Sequence, residues 1–150
     1  MSNTNCFDFD LSQIARLDAY KVSDVNAGVP VYASFITRVT PQLPANPGYD
    51  PHIPFEKESV SISDSESKSV GGVLHTVKVS WEMKLRTYDE ESLLSRLRNT
   101  PHCLLVKCFG NISRLILTGV SGYDFTAEES DGKLKCTMVL RNGMGICKVA

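Results

Sequence analysis

The chain has 150 residues, of which 42% are hydrophobic and 22% charged, and its 16 basic and 17 acidic side chains leave a formal net charge of −1. This composition fits one globular domain with a sizeable core and excludes a disordered chain. The even charge balance argues against nucleic-acid binding, which needs an excess of Lys and Arg against phosphates. Residues 1–10 lack a secretory signal, and no apolar run approaches the roughly 20 residues that span a bilayer. We therefore expect a cytoplasmic protein without a membrane partner.

Residues 11–22 fit two kinds of element. Ile14, Leu17 and Tyr20 follow helical spacing, whereas Ile14, Tyr20 and Val22 share one face of a strand. No glycine follows to end a helix, so a strand is favoured. Residues 29–39 are rich in β-branched and aromatic side chains, which also suit a strand.

Two consecutive loops are predicted next. Residues 40–56 contain many prolines, which stiffen the chain and keep it out of the middle of a sheet. Val60 and Ile62 indicate a short strand, and residues 63–72, rich in Ser and Gly, predict a second, mobile loop. Because long loops are often functional, we expect interaction residues in both. The candidates are Pro44, Pro47, Tyr49, Pro51, His52, Pro54, Phe55, Asp64 and Glu66.

Residues 74–86 give the clearest strand pattern, since apolar and polar side chains alternate throughout. Trp81 lies on the apolar face as a core residue, and His75 is expected to point outward. A helix follows, with a capping box formed by Thr87 and Glu90. Its apolar stripe contains three leucines, and arginines occupy its last turn, where the helix dipole favours them.

The C-terminal third alternates strands and turns. Residues 102–109 and 114–117 predict one strand pair, and residues 123–128 and 133–141 another. Asp131 and Gly132 between the second pair indicate a tight hairpin turn with positive φ angles. The whole chain, 1–150, is therefore a single α+β domain. It is expected to have a mostly antiparallel sheet of about six to eight strands, sandwich- or barrel-like, with one or two helices.

No residue constellation suited to catalysis is found. The cysteines are odd in number and follow neither disulfide nor zinc spacing; they are Cys6, Cys103, Cys108, Cys136 and Cys147. There is no phosphate-binding loop and no serine in a nucleophile elbow. We expect no enzyme activity, metal or cofactor. An active site assembled from distant residues stays open, and its candidates are His75, Cys103, Asp124 and Glu128.

Several segments of the second half carry a family resemblance. Residues 71–73 and 79–82, then 122–125 and 134–142, resemble small uncharacterised proteins of phages and prophages from gut Bacteroidetes. The resemblance implies a virion component such as a tail-terminator, neck or tube subunit. Such a protein would form a homo-oligomeric ring, contact other virion proteins and reside in the virion, or otherwise in the bacterial cytoplasm. The resemblance assigns no binding residues to this chain.

The alternative function is a module that binds a small molecule, peptide or glycan. Its pocket would lie under the proline-rich loop, near Tyr49, His52 and Phe55. A cavity there with a few converging polar groups would favour this alternative.

Overall fold

The computed structural model describes residues 14–26, 31–33, 36–69, 72–84, 88–109, 112–117, 122–143 and 145–149. The strands are β1 (Ile14–Lys21), β2 (Val31–Ala33), β3 (Ile36–Val39), β4 (His52–Ile53), β5 (Ser61–Ser69), β6 (Gly72–Lys84), β7 (His102–Cys108), β8 (Ile112–Leu117), β9 (Tyr123–Ser130), β10 (Lys133–Gly143) and β11 (Gly145–Val149). One α-helix, α1 (Tyr88–Asn99), and one short 3-10 helix (Val22–Asp24) accompany them. No described helix is long and apolar enough to cross a bilayer.

The strands form two sheets. One has seven strands in the order β2-β3-β11-β8-β7-β1-β4, and the other has four in the order β5-β6-β10-β9. All pairs are antiparallel except β3 with β11, which is parallel. The predicted α+β class with mostly antiparallel, sandwich-like sheets is confirmed. The described residues contain more strands than the expected six to eight. The additional strands are β2, β3 and β4, which are only two to four residues long.

The core joins the facing sides of the two sheets. Val77, Val79 and Trp81 of β6 belong to the same buried cluster as Leu17 of β1 and Leu104 of β7. Leu93 and Leu97 of α1 enter that cluster from the helix. Burial of apolar side chains from three directions is what holds the two sheets and the helix together.

A second, smaller cluster lies on the other face of the seven-stranded sheet. It contains Leu105, Leu115 and Cys147, which are aligned across β7, β8 and β11, together with Val39. Leu43 of the proline-rich segment packs against it. This sheet therefore buries apolar side chains on both faces.

Period-two hydrophobicity located the main strands correctly. The pattern in residues 74–86 corresponds to β6, and residues 11–22 contain strand β1 rather than a helix. The hairpin between β9 and β10 has Asp131 at φ 53° and Gly132 at φ 76°, as the predicted turn requires. The capping box falls on Thr87 and the Glu90 side chain, which lie outside the described part of the chain.

The mobile loop predicted for residues 63–72 is wrong. Residues 61–69 form β5, which pairs with β6 over its whole length. The serines that suggested a loop are the solvent-facing half of a strand pattern, and Ile62 and Asp64 form the inward half. The outward orientation predicted for His75 is also wrong, because its side chain is only 15% exposed and contacts Asp64.

The proline-rich segment behaves as expected for its composition. Residues 40–56 form no strand except β4, and β4 lies at the edge of the seven-stranded sheet. A single bridge, between Asn26 and Gln42, ties its start to the end of the 3-10 region. Proline lacks a backbone donor, so an edge position is the one it tolerates.

Candidate functional site

The proline-rich segment is docked on the domain. Ala19 of β1 donates its backbone N–H to the carbonyl of Pro51 at 2.8 Å, and Ile53 of β4 is paired with Leu17. Ile53 is fully buried in the main core. The segment is therefore fixed by backbone bonds and by one apolar anchor, and it does not extend as a free arm.

A cleft lies between this docked segment and α1. Its volume is about 500 Å³. One wall is residues 48–54, and the other is the side of the helix that carries Ser92, Leu93 and Arg96. The lining residues are Gly48, Tyr49, Asp50, His52, Pro54, Ser92, Leu93 and Arg96. The cleft thus combines apolar surface, two charged side chains and an aromatic ring.

Arg96 is the central side chain of the cleft. Its Nη1 donates to Nε2 of His102 at 2.9 Å and to the carbonyl of Ala19 at 3.3 Å. Its Nη2 donates to the carbonyl of Asp50 at 2.9 Å. The guanidinium carbon lies 4.1 Å from the centre of the Tyr49 ring, a cation–π contact. Arg96 therefore links the helix, β1 and the proline-rich segment.

The protonation state of His102 follows from its two hydrogen bonds. Its Nδ1–H donates to the carbonyl of Thr100 at 2.6 Å, which leaves Nε2 as the acceptor for Arg96. The ring is fully buried, and this burial, aided by the charge of Arg96, lowers its pKa to about 4. His102 is consequently neutral at pH 7 and serves as a fixed acceptor behind the cleft.

Tyr49 is held in place by contacts of its hydroxyl and of its ring. Its hydroxyl donates to Oδ2 of Asp24 at 2.9 Å and accepts the backbone N–H of Lys21 at the same distance. Lys21 Nζ also lies 5.1 Å from the centre of the ring. Burial raises the pKa of the hydroxyl, so it remains protonated and able to donate at neutral pH. The ring is therefore a rigid wall of the cleft.

A second polar cluster lies on the four-stranded sheet, where Asp64 and His75 face the core. Nδ1 of His75 lies 2.9 Å and 3.1 Å from the two carboxylate oxygens, and the Asp64 side chain is only 3% exposed. Burial raises the pKa of Asp64, and the contact with His75 opposes that rise. Within the described residues, no other side chain hydrogen bonds to His75, so the pair lacks a nucleophile.

The predicted interaction residues separate into several groups. Tyr49, His52 and Pro54 line the cleft, and Pro51 contributes its carbonyl to the docking of the segment. The remaining predicted residues lie away from the cleft lining. Phe55 packs against the main core, Pro44 and Pro47 lie earlier in the segment, Asp64 binds His75, and Glu66 is exposed on β5.

Sequence reasoning missed the helical wall of the cleft. The sequence explained the arginines of the last helical turn by the helix dipole, but one of them, Arg96, lies three residues after Leu93 and next to Leu97. That spacing places it near the buried face of the helix. An arginine on the apolar side of an amphipathic helix was the signal that could have identified it.

The residues considered for a dispersed active site do not converge. Asp124 and Glu128 are exposed on β9, Cys103 is buried in the other sheet, and the hydrogen bonds of His75 go to Asp64. Burial raises the pKa of Cys103 to about 12, which makes it a poor nucleophile at neutral pH. The residues that the structure describes include no group of three or more potential ligands placed to hold a metal.

No protein-family model, curated protein or solved structure matches this chain.

Proposed function

We propose that this protein is a non-enzymatic assembly subunit whose copies join through the edges of the four-stranded sheet. The ring it forms would be of the type found in phage tail terminators, necks or tubes, in contact with other virion proteins. The observation that carries the proposal is the pair of long outer strands, β5 with nine residues and β9 with eight.

An outer strand presents a row of backbone donors and acceptors that can pair with another chain. Among the described strands, none pairs with the outer side of β5 or of β9. The seven-stranded sheet differs, because its outer strands β2 and β4 have only three and two residues. The smaller sheet therefore offers the two extended edges among the described strands.

The directions of these two strands favour a closed ring. Since β5, β6, β10 and β9 are paired antiparallel in turn, β5 and β9 run in opposite directions. A second copy placed head to tail would add its β5 beside β9, and antiparallel pairing would continue without interruption. Such a contact is heterologous, and heterologous contacts generate rings when the rotation closes.

The side chains of the two edges also complement each other. The outward face of β5 carries the hydroxyls of Ser61, Ser63 and Ser65, all exposed. The β9 edge carries Asp124 and Glu128, also exposed. Two β9 edges would place like charges together, which destabilises a strand pair. Serine hydroxyls can instead donate to these carboxylates, so β5 beside β9 is the favoured combination.

Further support comes from the resemblance of residues 71–73, 79–82, 122–125 and 134–142 to small phage proteins. These segments correspond to β6, the start of β9 and β10, which belong to the sheet proposed to assemble. The position of the resemblance thus agrees with an assembly role for this sheet.

The experiment is a measurement of molar mass by light scattering over a wide concentration range. We expect a mass several times the 16.5 kDa of one chain. The variant S63K/S65K should shift the protein towards monomer, because edge lysines oppose strand pairing. The matched control S23K/T40K adds the same charge at exposed positions outside both edges and should leave the mass unchanged. A monomer at every concentration, or equal effects of both variants, would refute the proposal.

A further inference from the structure

We propose that the cleft between residues 48–54 and α1 binds a ligand with a single carboxylate on an apolar body, held by the guanidinium of Arg96. This inference does not depend on assembly through the sheet edges. It rests on the charge of Arg96, on its uncommitted hydrogen-bond donors and on the composition of the cleft.

Arg96 forms no ion pair with the residues described, although the charge of Asp50 acts on it from farther away. Its acceptors are the carbonyls of Ala19 and Asp50 and the neutral imidazole of His102, and no described carboxylate lies within ion-pair distance of it. The side chain is half-buried. Burial lowers the pKa of Arg96 and the charge of Asp50 opposes this only in part, so a bound anion would stabilise the guanidinium.

Two donors of Arg96 remain available. A guanidinium has five N–H groups; two on Nη1 bind His102 and Ala19, and one on Nη2 binds Asp50. The Nε–H and the second Nη2–H have no acceptor among the described residues. Donors on neighbouring guanidinium nitrogens match the two oxygens of a carboxylate, which binds them in parallel. The contact with Tyr49 and the three existing bonds hold the group in one orientation.

The rest of the cleft limits the ligand class. Leu93 and Pro54 provide apolar surface beside the Tyr49 ring, and about 500 Å³ is in the range of small-ligand pockets. Asp50 also lines the cleft, and its Oδ1 accepts the backbone N–H of His52. Repulsion by Asp50 increases with the negative charge of the ligand, so a doubly charged ligand would be disfavoured more than a singly charged one. These features favour a monocarboxylate over a phosphate.

A monocarboxylate on an apolar body occurs both in free organic acids and at the C-terminus of a peptide. Benzoate and a peptide ending in Ala-Phe with a free carboxylate represent the two sources. Benzamide and the same peptide with an amidated C-terminus are their neutral controls. Inorganic phosphate tests whether the cleft disfavours a more highly charged anion.

The test is NMR titration of the ¹⁵N-labelled protein with each probe. Benzoate, the free peptide or both should shift the Arg96 Nε–H resonance and the amides of residues 48–54 in a saturable way. The probe that binds more tightly shows whether the ligand is a free organic acid or the C-terminus of a peptide. The neutral controls and phosphate should give no saturable shift. The proposal is overturned if neither carboxylate binds, if the amides bind equally well, or if phosphate binds as tightly.

Two variants distinguish the effect of the paired guanidinium donors from the effect of the positive charge. R96K keeps a cation but loses the paired donors, so it should weaken carboxylate binding at least tenfold. R98K changes an exposed arginine of the same helix and should leave binding unchanged. Equal weakening in both variants would contradict the role of Arg96. Since the wild-type protein alone distinguishes acid from amide probes, the test stands even if R96K folds poorly.

Discussion

Lowering the pH should destabilise the protein through His102. The folded state keeps this ring neutral, because Nδ1–H donates to Thr100, Nε2 accepts from Arg96, and no water reaches the side chain. Protonation at Nε2 would place a second cation against the guanidinium and remove an acceptor. In the unfolded chain the same ring protonates near its ordinary pKa of 6.5.

The size and sign of this pH-dependent loss of stability follow from the pKa values of His102 in the folded and unfolded states. Between pH 6.5 and about 4 the unfolded chain binds a proton that the folded state does not. Above pH 6.5 His102 therefore causes no loss in the free energy of unfolding, and this free energy declines as the pH falls towards 4. One pKa unit corresponds to about 1.4 kcal/mol, so the loss from His102 has an upper limit of about 3.5 kcal/mol.

Urea unfolding at a series of pH values, followed by Trp81 fluorescence, measures this loss. Carboxylates titrate in the same range, so the comparison must be with H102Q, which retains a donor and an acceptor but does not titrate. The wild type should lose up to about 1.4 kcal/mol per pH unit more than H102Q between pH 6.5 and 4.5. Parallel profiles for the two proteins would refute the buried, neutral state of His102.

Two further predictions concern backbone approach and thiol chemistry. G145A should destabilise the fold more than G48A: both glycines have positive φ, but an added Cβ at Gly145 would lie 2.8 Å from the His75 ring, whereas at Gly48 nothing lies within 4 Å. Urea unfolding measures the difference, and equal losses would contradict the close packing of His75. Cys103 and Cys136, whose pKa values burial raises to about 12, should resist a disulfide reagent at pH 8 until urea is added. Mass spectrometry identifies the modified thiols, and rapid labelling of either in the native protein would contradict its burial.

The strands that the sequence predicted best bury one face and expose the other. From residue 77 to 83 in β6 and from residue 134 to 140 in β10, every second side chain is apolar and buried. Val79 with Met138 and Trp81 with Cys136 are cross-strand partners. Only the start of strand β5 was predicted, because Ile62 is the one apolar residue on its inward side and residues 63–69 were expected to form a loop. Its neighbour Asp64 is buried only through its contact with His75. A strand stabilised by a polar pair leaves no period-two hydrophobic signal.

The candidate cleft could be predicted only in part. Composition indicated that residues 40–56 form an extended loop that stays out of the middle of a sheet, and it placed Tyr49 and His52 among the candidate contacts. The opposite wall could not be found in this way, because Arg96 meets Tyr49 only after the segment docks on β1 and the helix packs on the core. Contacts between residues 47 positions apart in the chain depend on tertiary packing, which local patterns do not encode.

Cysteine cross-linking tests strand-edge assembly most directly. Within one chain β5 and β9 are separated by two strands, which places them about 14 Å apart, beyond the roughly 7 Å Cα separation that a disulfide spans. Double variants that combine T126C with S61C, S63C or S65C should therefore link only neighbouring copies. We expect oxidation of at least one double variant to give a ladder of trimers and larger species, whereas each single variant stops at dimers. If all three double variants remain monomers and dimers, the two edges do not meet.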